Sequence, residues 1–285
     1  MLTSMPAKGR PKMFETRRAK SPSNAVITMG IVVFHSVVHR IRKSQRSPIM
    51  SILTSIMQSV TMVLAFIFMM DILGMRGAAV RGDFVLYVMS GISLYPTHTQ
   101  TVGAVSGAET SSSPMMQHAP MNTVVSILAA ALSTLYLQLL SMLVILAGYY
   151  VMYNHFTVYD AVGFMEMFLL AWASGCAIGI LLYGLMPWAP SFISLLSTIY
   201  QRANMIFSGK MMLGNTLPAT MLVMFDWNPL FHIIDQARGF AFINYNPRNS
   251  NLEYPIIMSL IFFSLGLIIQ YYTNKRVSAS WSAGK

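Results

Sequence analysis

The chain has 285 residues, of which 55% are hydrophobic and only 10% charged, with a formal net charge of +10 and a mean hydropathy of +0.56. These proportions exclude an ordinary soluble domain, and the apolar residues fall in long uncharged blocks rather than amphipathic stripes, as bilayer spans do. The single cysteine, Cys176, lies inside one such block, which excludes an internal disulfide framework or a cysteine-based metal site and suits a small core residue.

Residues 1–24 are rich in Lys, Arg, Pro and Ser and read as a disordered basic tail. Of the 19 Lys and Arg residues, Lys8, Arg10, Lys12, Arg17, Arg18, Lys20, Arg40, Arg42, Lys43 and Arg46 precede position 47, where Glu15 is the only acid. A nucleic-acid arm has this composition, but the segment feeds into a membrane span. Retention in the cytoplasm by the positive-inside effect, with attraction to anionic headgroups, explains it more economically, and no nucleic-acid partner is expected. The apolar run from Ala25 to Phe34 is soon followed by His35, His39 and Arg40 and by no small-residue cleavage pattern, so it reads as a retained segment rather than a signal peptide. Across 25–47, Val26, Gly30, Val33, Phe34, Val37, Val38 and Ile41 recur at helical spacing opposite a polar set, the pattern of an interfacial helix on the cytoplasmic membrane surface.

Pro48 marks a break, and the region 48–274 carries six candidate spans: Ile49–Met70, Phe84–Gly107, Val124–Met152, Ala161–Met186, Phe192–Phe207 and Tyr254–Tyr272. The second contains Pro96, Thr97, His98, Thr99, Gln100 and Thr101; it either faces a water-accessible path or is a kinked helix whose hydroxyls bond its own backbone. Between the second and third, Ser113 and Pro114 start a short helix as cap and first residue. The hinge Pro187-Trp188-Ala189-Pro190 joins the fourth and fifth. Arg202 inside the fifth, and Glu166 near the outer end of the fourth, are the charges a membrane would tolerate least, and either a working or a structural role accounts for each. Residues 208–253, with Pro218, Trp227, Asn228, Pro229 and Arg238, are too apolar for a plain loop and read as a folded outer segment. An even number of spans, with basic residues at both ends, places both termini in the cytoplasm, including the tail 275–285.

No catalytic or metal-ligating constellation is expected. A P-loop is absent, since Gly209-Lys210 is preceded at the required spacing by Asn204 and followed by Met211. His35 and His39 share one helix face without a carboxylate nearby.

The stretch Trp227-Asn228-Pro229-Leu230-Phe231-His232-Ile233-Ile234-Asp235-Gln236-Ala237-Arg238 resembles the W-N-P-L-x-H-h-h-E-x-x-R sequence (h apolar) of the membrane subunit of type-2 ABC exporters, in the branch that exports capsular polysaccharide or O-antigen, here with Asp235 for the usual Glu. Leu217-Pro218 and Arg40-x-Arg42 are weaker echoes, and the layout matches over nearly the whole chain. The resemblance implies a homodimer with two copies of a cytoplasmic ABC ATPase, which supplies the ATP and Mg chemistry, in the bacterial inner membrane; the cargo is a polysaccharide or glycolipid. It makes Ser113, Pro114, Met115, Met116, Gln117 and His118 the coupling helix that docks on the ATPase. It makes 208–245, with Trp227, Asn228, Pro229, His232, Asp235 and Arg238, re-entrant helices gating the outer mouth. His98, Gln100 and Arg202 are the candidates for the translocation path. The outer aromatics Trp227, Phe231, Phe240, Phe242 and Tyr245 form either a membrane belt or sugar-stacking surfaces. The alternatives are export of another lipid or a drug, or an embedded enzyme on lipid-linked substrates that works through His98, Glu166 or Arg202.

Overall fold

The computed structural model describes residues 22–44, 47–72, 84–109, 122–153 and 158–283, and among these it is all-helical, with no strand. The order is α1 (Pro22–Ser44), α2 (Pro48–Ile72), α3 (Phe84–Ser106), α4 (Thr123–Tyr153), α5 (Ala161–Leu185), α6 (Pro190–Phe207), α7 (Ala219–Asp226), α8 (Pro229–Ala241) and α9 (Glu253–Ala283). The coupling residues Ser113 to His118 and residues 1–21 lie outside the described residues.

Among the described residues, four helices are long and apolar enough to cross a membrane: Ile49–Met69, Thr123–Val151, Ala161–Leu185 and Glu253–Lys275. The shortest has 21 residues, which at ~1.5 Å per residue spans a hydrocarbon core of ~30 Å. Two of the six expected spans, α3 and α6, are helices but fall short of that apolarity, because α3 carries the Pro96–Thr101 run and α6 carries Ser, Thr, Gln, Arg and Asn along its 18 residues. The last helix runs on to Ala283, with no Pro or Gly between Lys275 and Gly284. At the other end α1 begins at Pro22, a residue whose fixed φ and missing N–H suit a first helical position.

Helix α5 is the axis of the fold, packing most extensively on α3 and α9. Small residues bring it that close. A Cβ on Gly175 would lie 2.6 Å from the His98 carbonyl oxygen of α3, and one on Gly179 would lie 2.7 Å from Val105 Cβ. On the opposite side Gly184 meets Gln270 and Gly266 meets Leu181, so α5 and α9 approach through a second glycine contact. Asp160 caps α5 by accepting from the backbone N–H groups of Val162 and Gly163, both at 3.0 Å. The Pro187–Pro190 hinge is tied back to α9: Trp188 Nε1 donates to Thr273 Oγ1 at 2.8 Å, and that hydroxyl donates to Gly184 O at 2.9 Å.

Helix α2 packs on α4 through a buried small-polar stripe, Ser51, Ser55 and Ser59, with Ser55 Oγ 2.8 Å from Ser141 Oγ. Helix α1 rests on α4 and α2 with Val32, Val33, Ser36, Val37, Val38 and Ile41 half-buried. Val26, Ile27, Met29, Ile31 and Phe34 stay exposed, so the apolar surface of α1 is wider than a single stripe and only part of it is covered by the chain itself.

Candidate functional site

Two groups of polar residues occupy opposite ends of the helix bundle. The first is the segment between α6 and α9, where the sequence 227–238 folds as a clamp. Asn228 caps α8 by accepting from Leu230 N at 3.1 Å, while its Nδ2 donates to Asn204 Oδ1 and Phe207 O of α6 at 3.0 and 2.8 Å. Pro229 takes the first helical position. His232 Nδ1 accepts from Asn251 N, which puts the ring proton on Nε2, 2.8 Å from Asp226 O at the end of α7. Asp235 is buried and accepts from Gly214 N, Ser250 Oγ and Tyr245 Oη. Burial, and then the Asp235 carboxylate, push the Tyr245 hydroxyl well above its ordinary range, so it stays a donor.

Arg238 is wholly buried. Its guanidinium donates to the carbonyls of Gly209 at 3.0 Å, Lys210 at 2.7 Å and Met212, so one side chain gathers the turn that leaves α6. That turn docks on a stripe of α3 spaced four residues apart. Arg238 lies over the Tyr87 ring (4.6 Å), the Lys210 carbonyl sits where a Cβ on Gly91 would overlap it, and Lys210 Nζ lies over the Tyr95 ring (3.7 Å). Gly209 turns the chain with φ 66°, and any side chain there would also collide with Phe231. Lys210 Nζ is buried without a hydrogen-bond partner. Of the aromatics expected at an outer belt or on sugars, Phe231, Phe242 and Tyr245 are buried and Phe240 packs against Gly163, which leaves Trp227 at the surface, 53% exposed.

The path candidates separate. His98 is completely buried and bonded at both ring nitrogens: Nδ1 lies 2.8 Å from Ser174 Oγ and 3.3 Å from Ala171 O, and Nε2 lies 2.8 Å from Tyr200 Oη. The Ala171 carbonyl can only accept, so Nδ1 carries the proton and Tyr200 donates to Nε2. His98 therefore ties α3 to α5 and α6 and presents nothing to a passage. The Thr hydroxyls around it bond their own helix: Thr97 to Ser93 O, Thr99 to Tyr95 O and Thr101 to Thr97 O, at 2.6 to 3.0 Å. Gln100 differs, because it links three helices in a chain of amides, accepting from Gln138 of α4 at 2.7 Å and donating to Gln58 of α2 at 3.2 Å on an exposed edge. Arg202 is exposed on α6, as is Glu166 on α5. Helices α2 and α6 both pack on α3; Gln58 of α2 and Thr198 and Arg202 of α6 are exposed, and Gln100 is half-buried.

The second polar group lies at the opposite end of α3. A cleft of about 690 Å³ opens between α1, α3 and α4, lined by His35, His39, Arg40, Gln100, Glu109, Ser126, Ser133 and Thr134 among apolar residues such as Val32, Ala129 and Leu137. Sequence periodicity placed Arg40 on the polar face of α1. It turns inward instead, donating to Ala104 O in the last turn of α3 at 2.7 Å, where the carbonyls of a helix end lack partners. Burial lowers the basicity of Arg40 and Glu109 restores part of it. Among the described residues no three His, Cys, Asp or Glu side chains gather into a metal-binding group. No family model matches the chain, and no curated protein matches it in sequence.

Proposed function

We propose that this chain is one membrane half of an ATP-driven exporter of the type-2 ABC class, which moves a lipid-linked polysaccharide of capsular or O-antigen type across the bacterial inner membrane. The observation that carries the reading is the cleft beneath α1. It combines a basic and imidazole rim (His35, His39, Arg40) with an apolar wall, the pairing of chemistries that an anionic headgroup on a lipid tail requires. On this reading α3 and α6 complete six spans, both termini are cytoplasmic, and α1 lies along the cytoplasmic surface with its exposed apolar face in lipid. The segment 208–252 is then the outer gate, with α7 and α8 re-entrant.

The exposure of Arg202 on α6 supports a second copy facing it, because an Arg left toward lipid costs roughly 2.5–3.5 kcal/mol on insertion scales, whereas a water-filled passage between two copies removes that cost. ATP and Mg belong to the separate ATPase subunit, two copies per dimer, docked through 111–121. Closure of the ATPases would push on that segment and so on α3 and α4, between which it lies in sequence. The glycan cargo rests on the dozen residues from Trp227 to Arg238.

The test is affinity isolation of the tagged chain from its native membranes. The expected partner is a P-loop ATPase in equal amount, lost when 111–121 is deleted. A complex that survives the deletion would sink the coupling assignment, and a folded chain isolated with no ATPase would sink the exporter.

A further inference from the structure

The loop that follows α8 reads Asn244-Tyr245-Asn246-Pro247-Arg248-Asn249-Ser250-Asn251, a run without Ala, Val, Ile, Leu or Met in a protein that is 55% hydrophobic. It surrounds a pocket of about 550 Å³ lined by Asn215, Asn244, Tyr245, Asn246, Arg248 and Asn249. That volume falls within the ~300–1,000 Å³ range of small-molecule sites, but the lining is polar throughout.

The pocket is held open by bonds that involve the backbone, not the side chains, of Asn246 and Arg248. Asn215 pins the loop twice, Nδ2 donating to Asn246 O at 2.7 Å and Oδ1 accepting from Arg248 N at 3.0 Å. Asn249 Nδ2 donates to Gly214 O at 2.9 Å, Tyr245 Oη to Asp235, and Pro247 packs against Gly239. At Asn246 and Arg248 the bonds that fix the loop use backbone atoms, so the exposed carboxamide and guanidinium stand on a braced frame. A braced frame reduces the ordering cost that usually weakens polar binding.

A carboxamide sets an acceptor beside a two-hydrogen donor, which matches neighbouring sugar hydroxyls, each both donor and acceptor. A guanidinium matches a carboxylate with two parallel bonds. A lipid headgroup would engage Arg248 but leave the Asn246 carboxamide unmatched. We propose that this pocket is a binding site for acidic carbohydrate, with Asn246 and Asn249 taking hydroxyls and Arg248 taking the carboxylate of a uronic acid. The inference rests on the outward placement of this segment in the exporter reading, to which it adds a cargo subsite at the exit.

The experiment uses the full chain in phosphatidylcholine nanodiscs, free of sugar-headed detergent, titrated with trigalacturonate and with neutral maltotriose and followed by saturation-transfer NMR. Trigalacturonate is expected to bind at least ten-fold more tightly than maltotriose. Arg248→Gln should erase that preference, and Asn246→Ala should weaken both sugars. The two side chains are exposed and their fold-supporting bonds are backbone bonds, so both variants should fold. Equal binding of the two sugars, binding unchanged in both variants, or loss of sugar binding when phosphatidylglycerol is added to the discs would each overturn the site. Because no ATPase is present, failure here leaves the exporter reading to its own test.

Discussion

Arg238 of α8 and Lys210 of the turn after α6 carry the same charge and are both buried, yet their surroundings predict opposite results on removal. Arg238 satisfies three carbonyls, so Arg238→Ala orphans buried acceptors and should cost about 3–5 kcal/mol, read as a large fall in the unfolding midpoint of the purified protein. Arg238→Lys should recover little, because an ammonium cannot span the same three oxygens with a planar fork. Lys210 Nζ has only the Tyr95 ring to offset its desolvation. Lys210→Met should be neutral or stabilising by about 1–4 kcal/mol, and a loss of more than ~1 kcal/mol would show that the ammonium has a partner in the working protein. Sequence singled out Arg238 through its motif but not Lys210, which merely follows a glycine. It showed no role for either, since their partners are carbonyls and rings as far off as α3. Arg202 carries the converse lesson: a charge inside an apolar run stands out in the sequence, but whether it is buried depends on which neighbours cover it.

At the scale of elements, the all-helical fold is legible because apolar blocks, the Pro48 break and the Pro187–Pro190 hinge punctuate the chain at helix boundaries. The polar run of α3 is where local reading stops. Its hydroxyls bond their own backbone and His98 is sealed by α5 and α6, so the face of each residue was decided by packing that begins 73 residues away at Ala171. The small residues that set this packing were present as Gly175 and Gly179, four apart, the spacing that lets spans approach closely. Gly179→Val should force α3 from α5 and destabilise by about 3 kcal/mol or more, as overpacking at a close helix crossing does. Arg40→Ala tests how α1 is held. Losing one charged hydrogen bond worth about 1.5–3 kcal/mol should raise amide exchange in the last turns of α1 by ten-fold or more while leaving α5 unchanged, measured by hydrogen–deuterium exchange.

At the scale of the whole molecule, the two ends of the bundle differ in character. The α7–α8 end is a closed clamp of buried polar bonds, whereas the α1 end is an open cleft beside a helix with uncovered apolar surface. On the reading proposed above, an amphiphile would enter at the cleft end and leave through the clamp end. Sequence made the membrane class visible, but the cleft could not be foreseen, because it is formed by α1, α3 and α4 meeting across about 100 residues of chain. The most direct measurement places the chain, isolated with its ATPase, in proteoliposomes with a lipid-linked glycan labelled in the outer leaflet, where the ATPase faces the bath. The account predicts that glycan becomes protected inside the vesicle only when ATP and Mg are supplied, with its chain length unchanged. Glycan that stays outside despite ATP hydrolysis, moves without ATP, or is cleaved in place would contradict it.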